Sequence, residues 1–403
     1  MHEWGEAMRP HILYVGGEDH HARIPFLLAI QSSGFRVTAA GSGPAAPFRD
    51  ANIEFHPFAF SRFLTPLADL RSLKALAKIL TDLQPDIAQG YDAKPCLMLP
   101  LAAGLARSKT KTIRTLCGRG WVFSPGSLLA VSIRPAYWGL HRLASLATAG
   151  TVFEIEQDRS FFQRWGMGGR NSVVIPAGGG GIDEDGFSRS LSASPSRMEI
   201  RQELGLGSAP VVISVGRLTR QKGIPTLLAA AAIIHDRRPE VRFLIVGPRE
   251  SEGRLAISQA ELDAHKPYVI ATGPRSDIPA LLRAADVFAF PTEYAEGVPR
   301  VLLEATLAGL PIVSSNMPGC LSLVRDGWSG RIVDRGSSTE LAEAILDLLG
   351  DPTTHSEMVW RAADLTRKTF CLKSIVAHHS RFYASILDDS RGALERRHDV
   401  EPA

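Results

Sequence analysis

Short apolar, β-branched runs alternate with helical patterns along the whole chain, and this rhythm narrows the fold more than any other feature. HILYV (11–15) is followed by a helical stretch, Ile24 to Gln31, and by FRVTAA (35–40), and the series continues with DIAQ (86–89) and TIRTL (112–116). Between these, Leu67, Leu70, Leu73, Leu76, Leu80 and Leu83 recur at helical spacing and stop at Pro85, which predicts one amphipathic helix leading into a strand. A second helix over Leu128–Ala147 precedes TVFEI (151–155), and NSVVIP (171–176) ends the first half in a run of glycines. Strand, helix, strand in this order builds a parallel sheet covered on both faces.

The segment from Asp183 to Arg201 is rich in Ser, Arg and acids without an apolar period, and reads as an interdomain linker. After it the rhythm restarts with PVVISVG (210–216), a helix from Ile224, VRFLIVG (241–247), YVIATG (268–273), DVFAFP (286–291), PIVSS (311–315) and GRIV (330–333). The expectation is two doubly wound α/β domains, 1–183 and 200–369, facing a cleft. In such sheets ligands sit beyond the carboxyl ends of strands, so chemistry is sought in the loops that follow them.

Composition removes several classes. The 403 residues exceed one ordinary domain. With 45 Lys and Arg against 42 Asp and Glu, and 45% hydrophobic residues, the chain is neither disordered nor a nucleic-acid coat. Cys96, Cys117, Cys320 and Cys371 form no C-x-x-C pair and read as reduced thiols. The N-terminus, MHEWGEAMRP, carries acids and no apolar stretch, so no secretory signal is expected, and Met8 is a second candidate start. The uncharged run Ala305–Val324 is long enough for a membrane helix but holds Gly309, Pro311, Asn316, Pro318 and Gly319, so it reads as helix end, buried strand and loop. A cytoplasmic protein is expected, with attachment to a membrane surface left open.

Two clusters carry the chemistry. In Val215–Gly223, Gly216 lets the backbone turn close to a ligand, while Arg217 and Lys222 place two cations at a helix start, where an anion such as a diphosphate is already favoured. In Pro291–Ala305, Glu296 and Glu304 stand on either side of a helix start near Pro299. Glu296 then lies in the loop and Glu304 more than one turn inside, so the two acids reach different parts of one ligand. Glu304 suits a ribose and Glu296 a hexose, with the amides near Gly297 and Val298 toward phosphates. Glu304 lies in the apolar stretch VLLEATLAGLPIV, where a carboxylate needs a partner.

The pattern G-R-L-x₃-K-G, then E-G-x-P-R-x-L-L-E-A-x-x-x-G-x-P-I-V with P-G-C roughly eighty residues on, resembles the retaining glycosyltransferases of the GT-B fold. The form EGVPRVLLEA looks most like the branch that adds hexoses or N-acetylhexosamines to lipid-linked precursors. This resemblance implies two Rossmann-like domains, with a last helix over 370–390 crossing back to the first. It implies that Arg217 and Lys222 grip the donor diphosphate, Glu304 the ribose, and Glu296 the transferred sugar. Gly297 and Val298 would face donor oxygens, Arg275 would flank the base or serve as a solvated surface cation, and Gly16 and Gly17 would form a loop against the substrates or a plain turn. Arg217, Lys222 and Glu296 are the catalytic candidates. No cofactor and no metal is implied, because the two cations do what a divalent ion would do.

Two departures stand out. Where relatives carry a His after the strand DIAQ, this chain reads Gly90-Tyr91-Asp92-Ala93-Lys94-Pro95, and Ala295 stands where the branch tends to carry Arg. The partners implied are a nucleotide-sugar donor, most simply a UDP sugar, and a saccharide acceptor, polyprenyl-diphosphate-linked in that branch, without nucleic acid. From Arg107 to Arg142 cations interleave with Trp121, Phe123, Leu128, Leu129, Ile133, Tyr137 and Trp138. This suits an anionic membrane surface, or else apolar core beneath solvated charges. The stretch from Cys117 to Ser127 resembles the acceptor-side loop of the branch. An epimerase, a transferase to a soluble acceptor and a catalytically silent binder remain as alternatives. A nicotinamide oxidoreductase would need G-x-G-x-x-G after the first strand, where VGGEDHHA stands.

Overall fold

The computed structural model describes residues 9–59, 65–119, 121–123, 128–249, 253, 255–350 and 355–398. The candidate start at Met8 and part of the loop from Cys117 to Ser127 lie outside them. The chain divides into two compact units, one running to Gly181 and resuming at Leu372, the other Ile182–Cys371.

The first unit comprises β1 (His11–Gly16), α1 (Ile24–Ser32), β2 (Arg36–Gly41), α2 (Ala46–Asp50), β3 (Glu54–Pro57), α3 (Pro66–Leu83), β4 (Ile87–Tyr91), α4 (Ala93–Leu105), β5 (Lys111–Leu116), α5 (Leu128–Leu146), β6 (Gly150–Phe153), α6 (Glu156–Arg164) and β7 (Ser172–Val174). All strand pairs are parallel, in the order β3-β2-β1-β4-β5-β6-β7. Side chains alternate across the sheet, so Ile12 and Tyr14 of β1 enter one core and Leu13 and Val15 the other. Burial on both faces is why these strands read as unbroken apolar runs. Leu76 and Leu80 of α3 pack on the second face, whereas Leu67 and Leu70 remain exposed.

The second unit comprises α7 (Glu184–Ala193), α8 (Arg197–Glu203), β8 (Val211–Val215), α9 (Ile224–Arg237), β9 (Arg242–Val246), α10 (Gln259–Asp263), β10 (Val269–Gly273), α11 (Ile278–Ala284), β11 (Val287–Phe290), α12 (Arg300–Leu307), β12 (Ile312–Ser315), α13 (Pro318–Leu321), β13 (Arg331–Val333), α14 (Ser338–Gly350) and α15 (Ser356–Leu365). Its parallel sheet has the order β10-β9-β8-β11-β12-β13. The last helix, α16 (Leu372–His398), belongs to the first unit, where Phe382, Tyr383 and Ile386 join the core of Ile12 and Tyr14.

The stretch read as a linker is instead two helices. Its Ser and acid content is capping chemistry: Asp183 accepts the Gly186 N–H at 3.0 Å, and Ser196 with Glu199 forms a capping box. Phe187 and Ile200 are the buried apolar anchors, too few to show a period. Arginines do the rest, Arg201 donating to the Gly207 and Ala284 carbonyls at 2.9 and 2.8 Å and Arg197 to Asp286 at 2.6 Å.

Polar side chains tie α16 to the first sheet. The Tyr383 hydroxyl donates to Gln89 Oε1 and lies 2.9 Å from the Tyr14 hydroxyl and 3.0 Å from His379 Nδ1. His379 Nε2 donates to the Gly178 carbonyl at 3.0 Å. Burial drives this ring down to about 4, and burial with a nearby arginine drives His20 and His141 down to about 3. These three rings are neutral in the folded first unit but protonate near 6.5 once unfolded, so the unfolded chain binds more protons across that window. Stability is therefore expected to fall as the pH drops below about 6.5, each ring contributing up to about 1.4 kcal/mol per pH unit. Urea unfolding at pH 7 and pH 5 measures the slope, and His141→Gln should lessen it.

Candidate active site

In both sheets the first strand of the unit lies between its second and fourth, so the chain direction across the sheet reverses there and a crevice opens at the carboxyl edge. In the second unit the reversal falls between β8 and β11, and the two motif loops follow those strands.

Gly216 follows β8 with φ +154°, and its carbonyl packs so closely on Gly247 that a Cβ there would lie 1.9 Å from it. Arg217 follows, half-buried, its carbonyl accepting the Thr219 N–H at 2.8 Å. Thr219 then caps a single 3-10 turn by accepting the Lys222 N–H at 3.3 Å. Gly223, at φ +70°, turns the chain into α9 against the Pro291 carbonyl oxygen, 1.8 Å from where a Cβ would stand. The Glu293 N–H donates to the Gln221 carbonyl at 2.8 Å, and the Thr226 hydroxyl to Glu293 at 2.9 Å. The two loops are thus one bonded structure.

Within it Lys222 Nζ lies 2.7 Å from both carboxylate oxygens of Glu296 and 5.2 Å from the Phe290 ring centroid. The Thr292 hydroxyl donates to Glu296 Oε1 at 3.1 Å, leaving the carboxylate held from two sides. The carbonyls of Glu296 and Gly297 rest on Gly319, where a Cβ would lie 2.6 and 2.0 Å from them. That contact is the physical role of the P-G-C motif. Burial, reinforced by the Glu296 charge, pushes the neighbouring Cys320 thiol well above its usual range. Val298 is buried, and Pro299 is the N-cap residue of α12.

Glu304 occupies the fifth position of α12, and its partner is on its own helix: Arg300 Nε donates to it at 3.0 Å. Burial raises the carboxyl above the usual carboxylate range, and Arg300 opposes the rise. Arg275 is placed differently. It is bidentate to Asp277 at 2.8 and 2.6 Å and bonds Glu203 at 2.9 Å, and those carboxylates hold its proton more tightly than usual. It follows the edge strand β10, two strands from β8, so the sheet does not bring it to Arg217 and Lys222.

The first unit repeats the geometry between β1 and β4. The Gly17 N–H donates to Asp92 Oδ2 at 3.2 Å, and Gly16 carries no side chain because the His20 ring fills that space, its Nδ1 2.2 Å from the Cβ position. Arg23 donates to the Gly179 carbonyl at 3.1 Å, approaches Asp92 at 3.5 Å and stacks 4.6 Å over the Tyr91 ring. The Gly179 N–H in turn donates to Glu154 at 2.9 Å. Asp92, in place of the expected His loop, adopts φ +69°, a costly backbone for a residue with a Cβ. Arg23, Asp92 and Glu154 had no motif to announce them; only their position just beyond strands was legible. Among the described residues no group of three His, Cys, Asp or Glu is arranged to hold a metal ion.

Two doubly wound parallel units with paired loops at a switch point define the GT-B architecture. Residues 196–364 match the family model described as glycosyl transferases group 1. Along most of its length the chain is similar to the Campylobacter jejuni N,N'-diacetylbacillosaminyl-diphospho-undecaprenol alpha-1,3-N-acetylgalactosaminyltransferase, at 25% identity over 87% of this chain and 91% of that protein. It is also similar to the Escherichia coli UDP-Gal:alpha-D-GlcNAc-diphosphoundecaprenol alpha-1,3-galactosyltransferase, at 28% identity over 77% and 78% of the two chains. The solved structure of Anabaena HepE in complex with UDP-glucose superimposes with a TM-score of 0.74 at 21% identity, over 93% of this chain and 99% of that one. Residues 196–364 belong to the group 1 glycosyl transferase family, and the chain is an enzyme of the glycosyltransferase class.

Gly223→Ala is expected to cost about 2 kcal/mol or more, because both φ and the Pro291 carbonyl oppose it. Gly207→Ala has only its φ of +53° to overcome and open space beyond, so about 1 kcal/mol suffices. Chemical denaturation of the two variants compares them directly.

Proposed function

We propose that the protein is a retaining glycosyltransferase that moves a hexose or N-acetylhexosamine from a UDP sugar to a lipid-linked saccharide acceptor at a membrane surface. The observation that carries this reading is the bonded pair of loops beyond β8 and β11, which sets Arg217, Lys222, Glu296 and the start of α12 at one switch point. The two relatives that match most of the chain are named for diphosphoundecaprenol-linked acceptors, and one of them for a UDP sugar.

As the glycosidic bond breaks, the departing nucleotide diphosphate gains negative charge. Arg217 and Lys222 stabilise that charge, together with the amides of Gly297 and Val298. Glu296, already aligned by Lys222 and Thr292, presents its free lone pairs to the hydroxyls of the transferred sugar. Glu304 binds the ribose. The departing phosphate oxygen takes the proton of the acceptor hydroxyl on the same face, so that configuration at the anomeric carbon is retained without a protein base or a metal ion.

Lys222→Ala and Arg217→Ala should each lower kcat/KM by about 10² to 10³ while leaving the thermal midpoint within a few degrees. The assay is transfer of radiolabelled sugar from a panel of UDP and GDP sugars to a polyprenyl-diphosphate saccharide. Near-wild-type rates in both variants would reject the site. Anomeric analysis of the product by NMR decides retention, and release of free epimerised sugar nucleotide would mark an epimerase instead.

A further inference from the structure

Helix α5 is built inside out. Its sheet-facing line buries polar His141 and Ser145, and neither ring nitrogen of His141 has a hydrogen-bond partner. The fully buried Arg114 guanidinium donates to the His141 carbonyl at 3.3 Å, the Thr151 hydroxyl at 3.1 Å and the Met167 carbonyl at 2.7 Å. The outward line is apolar: Val131 is 50% exposed, Trp138 37%, Leu140 45%, Leu143 52% and Leu146 79%. A surface helix whose outer face met only water would carry these leucines inward. Contiguous exposed apolar surface of this kind marks a docking face.

The charges on the stretch that carries α5 have one sign. No Asp or Glu stands between Asp92 and Glu154, an interval that holds eight Lys and Arg. Of these, Lys94 and Arg119 are paired with Asp69 and Asp158. Among the described residues Arg107, Lys109 and Arg142 form no ion pair. Arg142 lies 5.9 Å from the Trp138 ring centroid within the exposed face. Arg107 and Lys109 precede β5 at the end of the sheet where the Thr112 hydroxyl holds the last turn of α5 by donating to Ala147. The Trp138 indole donates to the Trp165 carbonyl at 2.9 Å, and Trp165, 51% exposed, continues the surface. Glu156, beside Trp165, is the nearby acid, and Arg159 approaches it at 3.6 Å. Leucines, two indoles and unneutralised cations are what an anionic bilayer interface accommodates. The excess of cations over acids around the patch matches an anionic bilayer surface.

We propose that the outward face of α5, with Trp165, seats the first unit on an anionic lipid bilayer, Leu140, Leu143 and Leu146 entering the headgroup boundary and Arg142 pairing with phosphate. The choice of a bilayer rests in part on the lipid-linked acceptor proposed above. The test is sedimentation of the full chain with vesicles of phosphatidylglycerol and phosphatidylcholine that contain no acceptor, against vesicles of phosphatidylcholine alone. The wild type should partition at least tenfold more strongly onto the anionic vesicles, and Leu140→Glu with Leu143→Glu should abolish that gain. Arg142→Gln should weaken binding severalfold and lessen its salt dependence. Both changes are on exposed positions, and unchanged melting curves confirm the fold.

Equal partition of wild type onto both vesicle types, or unaltered binding by the double variant, would overturn the proposal. So would a dimer in sedimentation velocity that the double variant dissociates, in a chain that ignores vesicles. Transfer to a water-soluble acceptor analogue separates the two readings: intact transfer without vesicle binding removes only the docking face. Vesicle binding without transfer from any nucleotide sugar supports the face and removes the acceptor reading.

Discussion

Lys222 and Glu296 are 74 residues apart in the chain and 2.7 Å apart in space because β8 and β11 are hydrogen-bonded neighbours. That adjacency follows from the doubly wound order, in which the first strand of a unit sits at the centre and the fourth pairs on its other side. The loops beyond the two strands must then share one crevice. Every feature of the candidate site depends on it: the lysine has its carboxylate, the threonine its acceptor, and α12 its start toward the same point. Dispersing the two strands would leave an Arg and a Lys on one loop and two acids on another.

Close backbone approach is the second constraint, and glycine is how the chain meets it. Gly223 against Pro291, Gly247 against Gly216 and Gly319 against Gly297 each bring a carbonyl within less than 2.1 Å of a Cβ position. Side chains at these points would force the loops apart and separate Lys222 from Glu296. The motif glycines therefore act on the chemistry through loop spacing. In the first unit the same economy appears at Gly16, where the ring of His20 occupies the space of the missing side chain.

Much of the architecture was legible beforehand. The strands from HILYV to GRIV and the helix ending at Leu83 follow from apolar runs and helical spacing, since burial on both faces of a sheet leaves a continuous signature. The return of the chain to the first unit was legible only through the family resemblance. Among site residues, Arg217, Lys222, Glu296 and Glu304 stood in recognisable spacing. Other features left no such mark. The helices of Glu184–Ala193 and Arg197–Glu203 bury few apolar groups and are held by caps and arginines, so their composition imitates a linker. Arg275 looked available, and two carboxylates hold it. Arg300 as the partner of Glu304 could have been found from their separation of one helical turn.

By itself the sequence determined the class of fold, the presence of two units and the loops in which cations and acids gather, because periodicity and glycine spacing are local properties. Only the tertiary structure decided which of those groups meet. Pairing Lys222 with Glu296, drawing Asp92, Arg23 and Glu154 onto one edge of the first sheet, and turning the leucines of α5 outward all depend on strand order and helix rotation. Those are set by contacts between residues far apart in the chain, which no local pattern records.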